Sequence, residues 1–506
     1  MKTMKTVAPL LLALLTLWPA QAQQTLTLEQ CRDMAVEASR DLDQARTQME
    51  MAGYDRKIAL ANYFPNISAT GAYVHNNRNL SLLPLNVSEG LTSVGTVAQA
   101  RYNASLQQIQ QLLAADPQLA AQLMADPNFA TLMQQLSTAD LETPLNAIGQ
   151  EVNDAFTLDV SDIYVGAITV VQPVFMGGKI LYSNQMAALA EELAASKYDM
   201  KYAETVVAVD QAYWQIVSIA AKKRLAESYN DLLESLVHNV EIAVNEGVAT
   251  QADALQIKVK AGEARTMLTK ATNGLTLSKM LLCKQIGLPL DTEIVLADEQ
   301  LDVVPIPVLG GEKSMEDVWA DRPETKSLDL ATKIYDRKAK VARADMLPKV
   351  ALGASYVATN PNMYHSFSNG WRGGMLSVGV IVNVPIFHGF EALQKTRKAQ
   401  AEATLYRDQL ADAREMIQLQ VTRDRKLIGE CLERLNMAES NLESAEENLR
   451  AATVGFEAGV IDTNTVLGAQ TAWVKAHSEY IDAGIELQVT ASLLSQSEGN
   501  IISNAE

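Results

Sequence analysis

The stretch "VQPVFMGGK" (171–179) carries an apolar strand into a proline and aromatic turn, and "VNEGVATQADAL" (244–255) follows with a glycine-centred break. The same pair recurs as "VNVPIFHGF" (382–390) and "GFEAGVIDTNTVL" (455–467). Pro173 to Gly247 is 74 residues, and Pro385 to Gly459 is also 74. From Gly178 to Glu246 no proline and no further glycine interrupts a run rich in Ala, Leu, Glu and Lys. A helix of that length spans ~100 Å at about 1.5 Å per residue, whereas globular helices average about 11–12 residues. This strand-to-long-helix unit, present twice, decides the fold class.

Working outward, each copy has the same neighbours. Asp41 to Pro65 and Glu324 to Pro348 are both 24 residues, each a helix that a proline ends. Strands are expected at 66–76 and 162–172 in the first copy, and at 349–358 and 375–384 in the second. Each glycine break precedes a returning helix, about 250–286 and 463–498. Residues 292–313 are punctuated by Pro and Gly and read as irregular chain. The chain therefore divides into a leader (1–22), a first repeat (23–313), a second repeat (314–498) and a polar tail (499–506). An insertion at about 77–160, expected to form an extracellular cap, is peculiar to the first repeat. Within it "AADPQLAAQL" and "MADPNFATLM" recur ten residues apart. Asp116 and Asp126 are N-caps with Pro117 and Pro127 at the first helical position, predicting two or three short amphipathic helices.

Periodicity separates the two kinds of element. Ile428, Leu432, Leu435, Ala438, Leu442, Ala445, Leu449, Ala452 and Phe456 recur at a mean of 3.5 residues, the coiled-coil period. In the last strand Leu376, Val378, Val380, Val382 and Val384 point one way, and Ser377, Gly379, Ile381 and Asn383 the other. About ten alternating residues with one wholly apolar face is the pattern of a transmembrane β-barrel strand facing lipid. Phe387 and Phe390, and at the other end Tyr364, Phe367 and Trp371, suit aromatic girdles. Four strands are too few to close a barrel, and lipid does not tolerate an open edge. Closure requires several chains, with 8 strands in a dimer or 12 in a trimer.

Lys2, Lys5, an apolar core from Val7 to Leu17 and "AQA" at 20–22 read as a secretory leader. No later run of 18 apolar residues predicts a membrane helix. A net charge of −18 opposes a nucleic-acid partner. Cys31, Cys283 and Cys431 are too few and too widely spaced for a disulfide framework or a zinc site. His75, His238, His365, His388 and His477 have neither metal spacing nor an acidic partner at i+4. "GGEKS" (310–314) lacks phosphate-loop spacing. No catalytic residue, metal or cofactor is expected, and the chain does not read as an enzyme.

The opening "LTLEQC", the duplicated halves, the turns "QPVFMGGK" and "VPIFHGF", and the breaks "NEGVATQADAL" and "EAGVIDTNTVL" together resemble the TolC family of outer-membrane export ducts. The resemblance covers essentially the whole mature chain. It implies a mainly α fold with a transmembrane β-barrel, in which a homotrimer forms a 12-stranded barrel and a periplasmic α-helical tunnel. It also implies strand-to-helix turns at Pro173, Phe175, Gly177, Pro385, Phe387 and Gly389. Tip turns at Gly247, Val248, Ala249, Thr250, Gly459, Val460, Ile461 and Thr463 would meet a periplasmic adaptor, with an inner-membrane pump of RND or ABC type beyond it. In the family, acids six and nine positions after the turn glycine narrow the pore. Asp253 matches the first and Gln256 replaces the second, while the second copy has Thr465 and Gly468 there and Asp462 nearer the turn. Three Asp253 carboxylates brought together would have raised pKa values; alternatively, Asp253 caps the returning helix.

The preferred reading is a passive outer-membrane duct of a tripartite pump for drugs or other small molecules. A polypeptide-secretion duct is the alternative within transport, and a trimeric periplasmic scaffold is the alternative in another class.

Overall fold

The computed structural model describes residues 24–247, 249–301, 303–364, 370–371, 373–387 and 389–501. The leader at 1–22, Val248, Phe367, His365 and His388 lie outside the described residues. In chain order the elements are β1 (Gln24–Leu26), α1 (Leu28–Ala38), α2 (Arg40–Ala61), β2 (Asn66–His75), β3 (Leu80–Ser81) and α3 (Leu85–Thr92). They continue as α4 (Val94–Ala115), α5 (Pro117–Met124), α6 (Pro127–Ser137), α7 (Glu142–Ala155), β4 (Thr157–Leu158) and β5 (Asp162–Phe175). Then come α8 (Lys179–Asn245), α9 (Gln251–Gln285), β6 (Ile294–Leu296), α10 (Met315–Asp321) and α11 (Pro323–Ala344). The last four are β7 (Lys349–Asn360), β8 (Met375–Asn383), α12 (Glu391–Glu457) and α13 (Thr463–Ser497).

The duplication is exact in length: α8 and α12 each have 67 residues, and α9 and α13 each have 35. Contacts nevertheless divide the chain into two compact units that cut across the sequence copies. One unit is helical and takes in the chain up to Ala61, Gly178–Met346 and the chain from Phe387 onward. The other holds the strands and the insertion, Asn62–Gly177 and Leu347–Ile386.

In the helical unit α8 pairs with α9 and α12 with α13, while α11 lies against α8 and α12. Every member of the 3.5-residue stripe on α12 is buried or half-buried. Ile428, Leu435 and Ala438 pack with Ala483 and Leu487 of α13, and Ala452 joins Leu233, Val240, Ile257 and Leu467 nearer the helix turns. Cys31, Cys283 and Cys431 are free and buried.

Four expectations change. The first helix is two, because Ser39 is extended and its Oγ accepts from Leu42 N at 3.3 Å, a local bond that competes with the helix. The helix before the third strand likewise splits at Arg322, which is extended ahead of Pro323. Residues 294–296, expected to be irregular, form β6, which pairs in parallel with β1. The insertion holds five helices rather than two or three. Asp116 and Asp126 do cap α5 and α6, accepting from Leu119 N at 3.1 Å and Asn128 N at 2.8 Å.

Candidate functional site: the two-faced sheet and the helix turns

The four long strands form one antiparallel sheet in the order β2-β5-β7-β8, so β2 and β8 have bare edges. Its register extends the alternation of β8 across all four strands. Ile67, Val170, Ala354 and Val378 share one row, and Ala69, Ile168, Tyr356 and Leu376 the next on the same face. This face is apolar and open to the surroundings: Ile67 is 68% exposed, Val378 76% and Val380 63%. On the opposite face Ser68, Thr169, Ser355 and Ser377 form a continuous row of four hydroxyls, flanked by the small residues Ala167, Gly353 and Gly379. A sheet with a bare apolar face and a small polar face has lipid on one side and water on the other. Leu376, Val378, Val380 and Val382 lie on one side of β8, and Val384 lies just past the strand end.

Tyr73 and Tyr164 were not singled out in the sequence. They pair in register with ring centroids 4.9 Å apart, and Tyr73 Oη donates to Asp162 at 2.7 Å. Tyrosine on the apolar face near the strand ends has the amphipathic placement of an interfacial belt.

The helix turns sit in the helical unit. Gly247 has φ +81 and Gly459 φ +73, the left-handed conformation that ends helices. Gly247 N donates to Val244 O at 3.0 Å, and Ala249 N to Ala243 O at 3.2 Å. In the second copy Gly459 N donates to Phe456 O and Val460 N to Gly455 O, both at 2.9 Å. Ile461 folds back over Gly455, where a Cβ would lie 2.4 Å from its Cδ1, so a larger residue there must displace the Ile461 side chain.

The returning helices are capped by the acids of interest. Thr250 and Asp253 form a reciprocal capping box: Asp253 N donates to Thr250 Oγ1 at 3.2 Å, and Thr250 N and Oγ1 donate to Asp253 Oδ2 at 3.0 and 2.6 Å. Asp462 is the N-cap of α13, accepting from Thr465 N at 2.8 Å and Thr465 Oγ1 at 3.0 Å. Thr463 is buried behind it. The Thr250 hydroxyl, then its amide, hold the Asp253 carboxyl below the usual carboxylate range. The amide and hydroxyl of Thr465 do the same for Asp462, with Asp253 pulling slightly the other way. A lowered folded pKa contributes stability above the ordinary carboxylate value of about 3.9 and loses it as pH falls through the folded value. Both caps should hold to about pH 4. Gln256, where the family pattern has its second acid, instead donates Nε2 to Asn464 Oδ1 at 2.7 Å, tying α9 to α13.

Residues 317–500 match the family described as outer membrane efflux protein. The match spans the second repeat. Together with the two-faced sheet, this match reads as an outer-membrane channel that extends into the periplasm. Among curated proteins it is 23% identical over 357 residues to the alkaline protease secretion protein AprF of Pseudomonas aeruginosa, covering 67% of this chain and 72% of that one. It shares a fold with the outer-membrane channel CmeC of Campylobacter jejuni, at a TM-score of 0.69 and 10% identity, over 95% of this chain and 87% of that one. The outer-membrane protein VceC of Vibrio cholerae superposes at 0.68 with 14% identity, over 93% and 96%.

The channel's strand-to-helix turns differ between copies. Pro173 and Phe175 belong to β5, with a register irregularity between them, and Gly177 and Gly178 both have positive φ. In the second copy Pro385 and Phe387 follow β8, Gly389 has φ +60, and Phe390 takes the left-handed conformation at φ +62 where the first copy has glycine. Phe387 and Phe390 pack edge to face at 5.5 Å. A non-glycine residue there costs about 1–2 kcal/mol. Phe390→Gly should therefore raise the chain's stability by up to ~1 kcal/mol, with the lost ring contact setting the shortfall. Urea unfolding of the full chain measures it.

Proposed function

We propose that the channel works as a homotrimer, the passive outer-membrane duct of a tripartite pump that exports drugs or other small molecules. The observation that carries the reading is the open sheet with one apolar and one hydroxyl face. Its bare edges on β2 and β8 have no place in lipid, and three copies supply the 12 strands of a closed barrel. The Ser68, Thr169, Ser355 and Ser377 row then lines the lumen. The tip turns at Gly247, Ala249, Thr250, Gly459, Val460, Ile461 and Thr463 receive a periplasmic adaptor, and an inner-membrane pump of RND or ABC type drives transport. Unheated gels and conductance in planar bilayers test this reading. It requires a heat-labile trimer and an ion-conducting pore; a chain recovered only from the soluble periplasm would sink it. The likeness to a protease-secretion protein favours a second reading, export of a polypeptide with an ABC-type partner. Deleting the gene and comparing drug tolerance with the secreted proteins separates the two.

At the tips, Asp253 serves as a cation ring as well as a cap, since both Thr250 bonds fall on Oδ2. Asp253→Asn keeps an acceptor for Thr250 and removes only the charge. The divalent-cation concentration that half-blocks single-channel current should rise about five-fold, the equivalent of ~1 kcal/mol for a carboxylate–cation contact in water. Unchanged block would leave Asp253 as a cap alone, with Asp462 the next acid to substitute.

A further inference from the structure

The insertion at 77–160 buries Leu106 and Met133 but leaves one apolar flank of its last helix bare. Its helix α7 turns Asn146, Gly149 and Asn153 toward α3 and α4. Asn146 Oδ1 accepts from Gly95 N at 2.7 Å and Thr96 N at 3.3 Å, and Ser88 Oγ donates to Asn153 Oδ1 at 2.5 Å. Gly149 lies so close to α3 that a Cβ would come 1.9 Å from Leu91 O, and a Cβ on Gly95 would come 2.2 Å from Glu142 O. The packing is therefore specific rather than a loose collapse. A flank of α7 outside that contact carries Ile148 and Val152, one turn apart and 57% and 37% exposed. Leu85 and Leu112, on α3 and α4, are exposed too. Bare apolar side chains grouped beside a specific, close helix contact present a docking surface.

We propose that this surface binds the insertion of a neighbouring copy of the same chain, so that three insertions assemble into a helical cap over the outer end of the barrel. The inference rests on the trimeric duct. Two observations select the occupant. First, the insertion springs from His75, the last residue of β2, whose free edge must receive the next copy's strand. Both hairpin connections, 76–161 and 361–374, leave the same end of the sheet, since Tyr164 pairs with both Tyr73 and Asn360. The insertion therefore stands at the seam between copies. Second, residues 77–160 contain eight acids, two arginines and no lysine. Helices that lie on membranes carry Lys and Arg on their polar face, so a lipid surface fits this composition poorly.

The test uses the full-length chain reconstituted in lipid, with Ile148→Cys and, as control, the exposed Gln107→Cys; the three native cysteines are buried. In trimers a polymer-linked maleimide should label Ile148→Cys roughly ten-fold more slowly than the control, a protection lost on dissociation. Mixing the Ile148→Cys chain with an excess of a chain whose residues 77–160 are replaced by a two-residue turn should restore fast labelling. Equal rates in intact trimers, or protection that persists in the mixed trimers, would overturn the cap while leaving the duct standing. Absence of trimers on unheated gels would overturn the duct reading and the cap with it.

Discussion

Val380→Arg is expected to destabilise the inserted channel by about 2–4 kcal/mol, the cost of a basic side chain at the bilayer midplane of a barrel. Val380 lies near the middle of β8 on the apolar face, paired with Leu352 and 63% exposed in the single chain. Folding of the strands removes nothing from this position unless lipid covers it. Ser377→Arg, on the same strand but in the hydroxyl row, should cost far less, because its side chain enters water. Trimer yield on unheated gels and urea resistance in lipid vesicles should separate the two variants. Equal losses would mean that the sheet is not two-faced with respect to the membrane.

The second large effect lies in the helical unit. Asp210 of α8 is fully buried, and Arg32 of α1 grips it with Nε at 2.6 Å and Nη2 at 2.7 Å. Ser492 of α13 also donates to Asp210. Three elements from distant parts of the chain thus converge on one carboxylate, beside the core formed by Tyr213, Trp214, Leu282 and Ile485. Arg32→Ala leaves that charge buried with one hydroxyl for company and should cost about 3–5 kcal/mol. Asp210→Asn should cost less, about 1–2 kcal/mol, since an acceptor remains and Arg32, 35% exposed, can turn to water. Urea unfolding of the full chain should show this order. A reversed order would mean that Arg32, not Asp210, is the group that burial makes costly.

The candidate site was legible wherever its signal is local. Gly247 and Gly459 announce helix ends because only a residue without Cβ enters the left-handed conformation readily. Thr250 and Asp253 stand three apart, the capping-box spacing, and Asp462 precedes its helix directly. Asn464 gave no such signal. Its partner Gln256 lies 208 residues away, and a polar pair at that separation leaves no period to read. Tyr73 and Tyr164 were hidden for a related reason: each strand shows its own alternation, but their pairing depends on a register spanning an 85-residue insertion.

The sequence by itself determined the two long helices and their lengths, the 3.5-residue stripe on α12, the four strands and the two faces of β8. Those features follow from backbone periodicity and from Pro and Gly, which act within a few residues of themselves. Only the tertiary structure decided that the hydroxyls of four separate strands form one row, that β1 pairs with β6, and that Arg32 meets Asp210. It alone showed α7 packed through Asn146, Gly149 and Asn153, with Ile148 and Val152 left bare. The periodicity of a single helix does not say which neighbour it meets, and the close approach at Gly95, Asn146 and Gly149 settles it for α7.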